Sequence, residues 1–484
     1  VTAPYGDLLR ALGPEACLVA GALGALGADL LADRGRTPTR RIAVSITIAV
    51  LAIVAAGTAA IFAGTGGPAF GGVLVLDPLT LVARLSVLGL ALLTVLLADA
   101  DPRLAHPAEY VAVLLFATAG FTLMAAAQQL LLAFLALELA SLSLYVLAGW
   151  DKSRPESAEA ALKYFLFGGV SAAFLLFGFS LIYGLTGSIE LTGIARQLAA
   201  QPAGPLLVVA LVMMLVGFGF KAAAAPFHLW APDVYQGAPP VSAALIASAS
   251  KVAGFTLFVR LFWGAFGPAA GTAASPAWLL VVAWLAAASL LLGNLAALAQ
   301  TNLRRLLAYS AIGHAGVLLL GVMVAGRVGA GPLIYYAATY GLATVGAFGV
   351  IAVIDRAGSC LHLTDLAGLH RRSPLLAACL AVCVLSLAGI PPLAGFFGKF
   401  VVFAAAFKAG GLTRAPGWLA LFAIGMSAVA LYYYLLILKQ ALVVPGEANA
   451  SRITVPPRAA IALVAASLLL LLLGLAPSWV LGAF

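Results

Sequence analysis

The chain has 484 residues, of which 64% are apolar and only 9% charged, with a mean hydropathy of +1.11 and a formal net charge of +9. Ordinary soluble proteins are about 45–50% apolar, so these few polar residues exclude a water-soluble enzyme, a disordered chain and a fibrous repeat. The 26 Lys and Arg are spread too thinly for a nucleic-acid surface and are expected in loops retained on the cytoplasmic side of a membrane.

A hydrocarbon core about 30 Å thick takes roughly 20 apolar residues per helix. By that ruler the sequence predicts an all-α polytopic membrane protein with about fourteen transmembrane helices. They cover 15–31, 42–62, 73–97, 110–126, 130–150, 162–185, 206–228, 241–262, 278–298, 303–324, 333–354, 375–407, 418–438 and 459–481. The opening VTAPYGDLLRALGPE shows no basic n-region and no cleavage site, so no removable signal peptide is expected. Breaks such as RGRTPTRR and DKSRPESAE are short and rich in Gly, Pro and charge, with no room for a soluble domain.

Basic residues set the orientation. Loops after odd-numbered spans carry sixteen: Arg34, Arg36, Arg40, Arg41, Arg103, Lys152, Arg154, Lys163, Arg304, Arg305, Arg356, Arg371, Arg372, Lys439, Arg452 and Arg458. The other side has six: Arg10, Arg196, Arg260, Arg327, Lys408 and Arg414. The asymmetry predicts odd loops in the cytoplasm and both termini on the non-cytoplasmic side.

Ionisable residues inside spans are the functional candidates, because a charge at membrane depth costs a few kcal/mol or more and usually lines a polar path. Glu138 is the single acid of LLLAFLALELASLSLYVLAGW. It reads as functional against the alternative of a carboxylate bonded to a neighbouring helix for packing. Lys221 precedes Pro226 in VGFGFKAAAAPFHLWAPD, where proline should break the helix. Irregular backbone at that depth is tolerated beside a cavity, so Lys221 reads as an ion or proton site. His228 lies at the end of that span and is ambiguous. Lys251 follows APPVSAALIASAS among small residues, with Ser248 and Ser250 able to hydrogen-bond across helices. Lys399 stands in LAGIPPLAGFFGKFVVF, inside a 375–407 run too long for one straight span and interrupted by Gly389, Pro391, Pro392 and Gly395. His314, in LAYSAIGHAGVLLLG, could be a relay or a satisfied packing residue. For Arg84 and Asp77 snorkelling or a local pair suffices. Cys17, Cys360, Cys379 and Cys383 show no metal-ligand spacing, and Cys379 and Cys383 should pack as small apolar residues.

Spacing adds a larger pattern. Glu138 to Lys221 is 83 residues and His314 to Lys399 is 85, each a protonatable group two spans before a broken lysine helix. Spans four to eight therefore read as a template repeated in spans nine to thirteen, inverted because five is odd, with broken seventh and twelfth helices. The implied organisation is 1–109 for helices one to three, 110–263 and 277–438 for two inverted five-helix repeats, and 459–484 for the last helix.

FKAAAAPFHLWAPDVYQGAPPVSA, LRRLLAYSAIGHAG and GIPPLAGFFGKF resemble hallmark segments of the antiporter-like membrane subunits of respiratory complex I. Within that superfamily the chain is most similar to the N type, through Lys399 in the second broken helix, the LYYYLLILKQAL segment and the end after the fourteenth span. The resemblance implies a proton-translocating membrane-arm subunit of an NADH:quinone oxidoreductase in a bacterial inner membrane. Glu138 matches its fifth-helix acid, Lys221 the lysine of the broken seventh helix, Lys251 the bridging lysine of the eighth and Lys399 that of the broken twelfth. His228 and His314 match positions on the polar axis between them. It further implies no cofactor in this chain, with NADH, FMN, Fe–S clusters and quinone in partner subunits. The implied partners are an antiporter-like neighbour, small membrane subunits and membrane lipids, with no nucleic acid. The alternatives are a subunit of a multi-subunit cation/proton antiporter and a structural spacer in the arm.

Overall fold

A chain in lipid has no water to satisfy its backbone, so apolar runs of this length fold as helices. The computed structural model describes residues 5–32, 37–101, 104, 106–200, 204–267, 275–358, 361–412, 414–446 and 451–484; Arg34, Arg36, Arg103 and Cys360 lie outside them. Among the described residues, thirteen helices are long and apolar enough to cross a membrane, from Gly13–Leu31 to Pro457–Leu475. The remaining expected span is split into Pro374–Ala388 and Ala394–Gly410, as its prolines and glycines required.

Three helices form the centre. Pro240–Phe266, Leu303–Val328 and Gly331–Ala357 are buried almost all round. Peripheral helices such as Pro155–Thr186 turn Phe165, Leu166, Val170 and Phe177 outward, as a lipid-facing surface does. A short amphipathic helix, Leu191–Ala199, buries Leu191, Ile194 and Leu198 on one face and links two crossings.

The seventh crossing corrects the sequence reading. Its helix, Pro205–Ala222, stops short of residue 228 because Ala223 takes a left-handed φ of 55°. The Ala223 and Ala224 amides then bond back to Phe220 and Gly219 carbonyls, which closes the helix end. The chain resumes helically at Trp230–Gly237, so His228 sits in the connecting turn and not on the transmembrane helix. The eighth crossing carries a break that was not expected: Pro240–Ala247 and Ala249–Phe266 meet at Ser248, just before Lys251.

Two backbone bridges repeat one plan. Leu130 N–H bonds to the Ile189 carbonyl and Leu191 N–H to that of Gln128; later, Leu303 N–H bonds to Leu361 and Leu363 N–H to Thr301. Each bridge ties the start of one crossing to the chain leaving the next.

Arg84 and Asp77 are also corrected. Arg84 is 1% exposed, so it does not snorkel; it donates to Glu15 at 2.8 Å and to the Ala11 carbonyl at 3.2 Å. Arg260, counted above among outer-side cations, is buried and grips Asp77 through two nitrogens at 2.9 and 3.0 Å. A buried guanidinium needs a carboxylate partner, and helix packing supplies one from far along the chain in both cases.

Candidate functional site

Glu138, Ser141 and Tyr145 fall on one face of Leu130–Ala148, at i, i+3 and i+7. That face borders a cavity of about 10 Å³ whose lining includes Gly168, Ser171 and Lys221. It is large enough for about one water molecule. Lys221 Nζ donates to Ser141 Oγ at 3.2 Å and lies 5.8 Å from the centre of the Phe121 ring. Glu138 Oε1 is buried without a hydrogen-bond partner, and among the described residues no ion pair joins it to Lys221. Acid and base share the cavity without touching.

Lys251 stands just after the Ser248 break, on a helix buried on every side. Its Nζ donates to the Ala222 carbonyl at 3.2 Å and to the Ala311 carbonyl at 2.7 Å, and lies 5.6 Å from the Tyr340 ring centre. Ala222 is the last residue of the first broken helix, so the ammonium covers one of the carbonyls that every helix end leaves open. It also sits at the negative end of that helix dipole.

The second break is built the same way with a different residue. Gly389 has φ 88°, and its amide and that of Ile390 bond back to Leu385. Lys399 Nζ donates to the Leu387 and Ala388 carbonyls, both at 3.0 Å. A Cβ on residue 389 would lie 3.3 Å from that ammonium, so glycine serves both the turn and the close approach.

His314 is held at both ring nitrogens. Nδ1 lies 2.5 Å from Tyr336 Oη and Nε2 2.9 Å from Tyr434 Oη, and Tyr434 Oη also bonds Ser310 Oγ. Tyr433 donates to Asn294 Oδ1 at 2.9 Å. A second cavity of about 10 Å³ is lined by His314, Lys399, Asn294, Ser427 and Tyr433 among others.

His228 lines a different and larger cavity of about 350 Å³, with Lys163, Asp233, Arg305 and Tyr309 on its wall. There Asp233 accepts from Lys163 at 2.6 Å and from Arg305 at 2.5 Å. Burial alone would raise the Asp233 carboxyl, but the bonds from Lys163 and Arg305 outweigh it and hold it below the usual carboxylate range. The structure thus joins Glu138 with Lys221, links Lys251 to the Ala222 and Ala311 carbonyls, and groups His314 with Lys399. It leaves His228 apart from them.

Sequence reasoning missed Ser141, Ser171, Asn294, Tyr336 and Tyr434. Ser141 was recoverable, since it shares a helical face with Glu138. Tyr336 and Asn294 carried no signal, because nothing in a single sequence pairs them with His314 or Lys399. Among the described residues no cluster of three His, Cys, Asp or Glu could hold a metal ion. Cys379 and Cys383 are buried, and Cys383 Sγ packs against Gly346.

Comparison with known proteins follows the same geometry. Residues 127–431 match a family profile described as NADH:quinone oxidoreductase/Mrp antiporter, TM. The chain is 49% identical to a protein of Acidobacterium capsulatum named NADH-quinone oxidoreductase subunit N 2, covering 98% of each chain. It is similar to a chain of respiratory complex I from Thermus thermophilus with bound aureothin, at 37% identity and a TM-score of 0.79, covering 97% of this chain and 98% of that one. A chain of the Mrp complex from a Dietzia species, at 23% identity and a TM-score of 0.82 over 98% of this chain and 96% of that one, shares the fold.

Proposed function

The chain belongs to the NADH-quinone oxidoreductase subunit N family, and from that premise we propose that Glu138, Lys221, Lys251, His314 and Lys399 carry protons across the membrane through two half-channels. It is an antiporter-like, multi-pass membrane-arm subunit of that enzyme complex in bacteria, with other membrane subunits as its neighbours. In this reading it holds no redox centre, and electron transfer and quinone reduction occur in partner subunits. Residues 110–263 and 277–438 are the two repeats, and both termini lie on the non-cytoplasmic side.

The observation that carries the reading is the double attachment of Lys251. One buried ammonium joins the open end of the first broken helix, at Ala222, to the helix that holds His314, at Ala311. A proton relay between two half-channels needs one such group on the boundary. The drive is electrostatic. Moving a unit charge from 4 to 8 Å from its partner changes their interaction by about 2 kcal/mol at an effective dielectric near 20. That biases a proton-binding equilibrium more than tenfold, so small displacements of Glu138 against Lys221 suffice.

Lys221→Ala in the assembled complex should abolish most NADH-driven proton pumping. Lys221→Arg should fail too, because guanidinium stays protonated and cannot hand a proton on. Near-normal pumping by Lys221→Ala, with subunit content unchanged, overturns the proposal. Cysteine labelling at both ends, from the outside, tests the sidedness separately.

A further inference from the structure

We infer that Ser310, Tyr434, His314 and Tyr336 form one hydrogen-bonded wire that passes a proton between Lys251 and Lys399 without the imidazole holding a net charge. The inference rests on the proton-path reading above and deepens it by naming the groups that fill the gap between two lysines. A neutral imidazole has one N–H and one bare nitrogen. With phenols on both ring nitrogens, one of them donates to the ring and the other accepts from it. The order then propagates, because the Tyr434 hydroxyl is also bonded to Ser310.

The ends of the wire meet the lysines. Lys251 Nζ holds the carbonyl of Ala311, the residue after Ser310. At the other end Tyr336 packs on Gly398, the residue before Lys399: a Cβ there would lie 2.7 Å from Tyr336 Cδ2. The wire also runs along the membrane normal. Ser310 is one turn nearer the Leu303 end of its helix than His314, and Tyr336 is in the second turn of Gly331–Ala357, which starts from the opposite end.

The proton count balances at every atom. A proton arriving on Ser310 Oγ sends the hydroxyl proton of Ser310 to Tyr434 Oη. Tyr434 passes its own proton to Nε2, Nδ1–H passes to Tyr336 Oη, and the Tyr336 hydroxyl proton leaves toward Lys399. Each O–H and N–H bond broken is replaced by one formed, and rotation of hydroxyls with the reverse tautomer shift resets the chain. Tyr336 and Tyr434 are thereby proton-transfer residues, since each touches a ring nitrogen that gives or takes the proton.

The test uses membrane vesicles containing the assembled complex, with NADH-driven proton uptake normalised to subunit content. Tyr336→Phe and Tyr434→Phe keep the ring and remove the hydroxyl, and each should lower pumping by about tenfold or more. The double variant should be no worse than either single, because members of one wire fail as a unit. Separate packing roles predict multiplied losses instead, and that result overturns the wire, as does a single variant pumping at more than half the normal rate. Lys399→Ala runs beside them. If it pumps normally, the proton-path reading itself falls; if it fails while the phenylalanine variants pump, only the wire falls.

Discussion

The two halves enter the membrane alike and solve the same problem with different chemistry. Counting from Leu130 and Leu303, whose amides make the matching bridges, Ala311 stands where Glu138 does and His314 stands where Ser141 does. The first half therefore has an acid and a lysine sharing one small cavity. The second half has no acid at that place. Its Ala311 offers only a backbone carbonyl, which Lys251 takes, and its histidine is fixed by two phenols. A charge pair responds to displacement over several ångströms, whereas a hydrogen-bond wire responds only to the order of its protons. The first half suits the receipt of a push from a neighbour, and the second suits handing the proton on.

The largest effect should come from breaking the first half's charge balance. Glu138→Gln keeps the shape and the cavity but leaves Lys221 without its acid. Removing about 2 kcal/mol of interaction lowers proton pumping by more than tenfold, while the complex still assembles. Glu138→Asp shortens the arm and keeps the charge, so it should recover much of the loss. Vesicle pumping assays on the two variants decide it: equal loss in both would mean that position, not charge, is what the first half needs.

A smaller effect sharpens the contrast at two glycines that each abut a tyrosine. A Cβ on Gly168 would run into the Tyr145 hydroxyl, and a Cβ on Gly398 would lie 2.7 Å from the Tyr336 ring and 3.1 Å from Thr339 Oγ1. Gly398→Ala should shift Tyr336 off Nδ1 of His314 and cost about one hydrogen bond, near 1 kcal/mol, or about fivefold in pumping. Gly168→Ala should cost less than twofold, since the far end of Tyr145 can swing. If the first-half variant is hurt more, the two halves do not differ as argued.

Much of this was legible in the sequence, for physical reasons that also mark the limit. Apolar runs bounded by charge had to be helices, and Pro226, Pro391 and Pro392 had to break two of them. Glu138, Lys221, Lys251 and Lys399 stood out because membrane depth makes a charge expensive. The 83- and 85-residue spacings suggested that Glu138 and His314 were equivalent. They count residues through loops of unequal length and cannot resolve one helical turn, which is the difference between Glu138 and Ser141. Lys221 likewise precedes its break while Lys399 follows its own. Arg84 with Glu15 and Arg260 with Asp77 were hidden because their partners lie far along the chain, where only packing brings them close.

The smallest effect concerns the clamp that ties the halves together. Asp233 follows the first break, takes Lys163 from the first half and reaches Arg305 on the Leu303–Val328 helix of the second. The three side chains are 28–37% exposed, so solvent screens the pairs and Asp233→Asn should cost about 1 kcal/mol or less. Its pH dependence is the sharper readout. The carboxyl is held below the usual carboxylate range, so its stabilisation is complete above the ordinary value near 4 and is lost as pH falls through the lower folded-state value. Thermal denaturation of normal and Asp233→Asn complex should therefore show a gap that is constant from pH 7 to about 5 and closes below about 4. A gap that widened on acidification would mean that Asp233 binds its proton more tightly when folded. The two halves would then be held together by something other than this carboxylate between two cations.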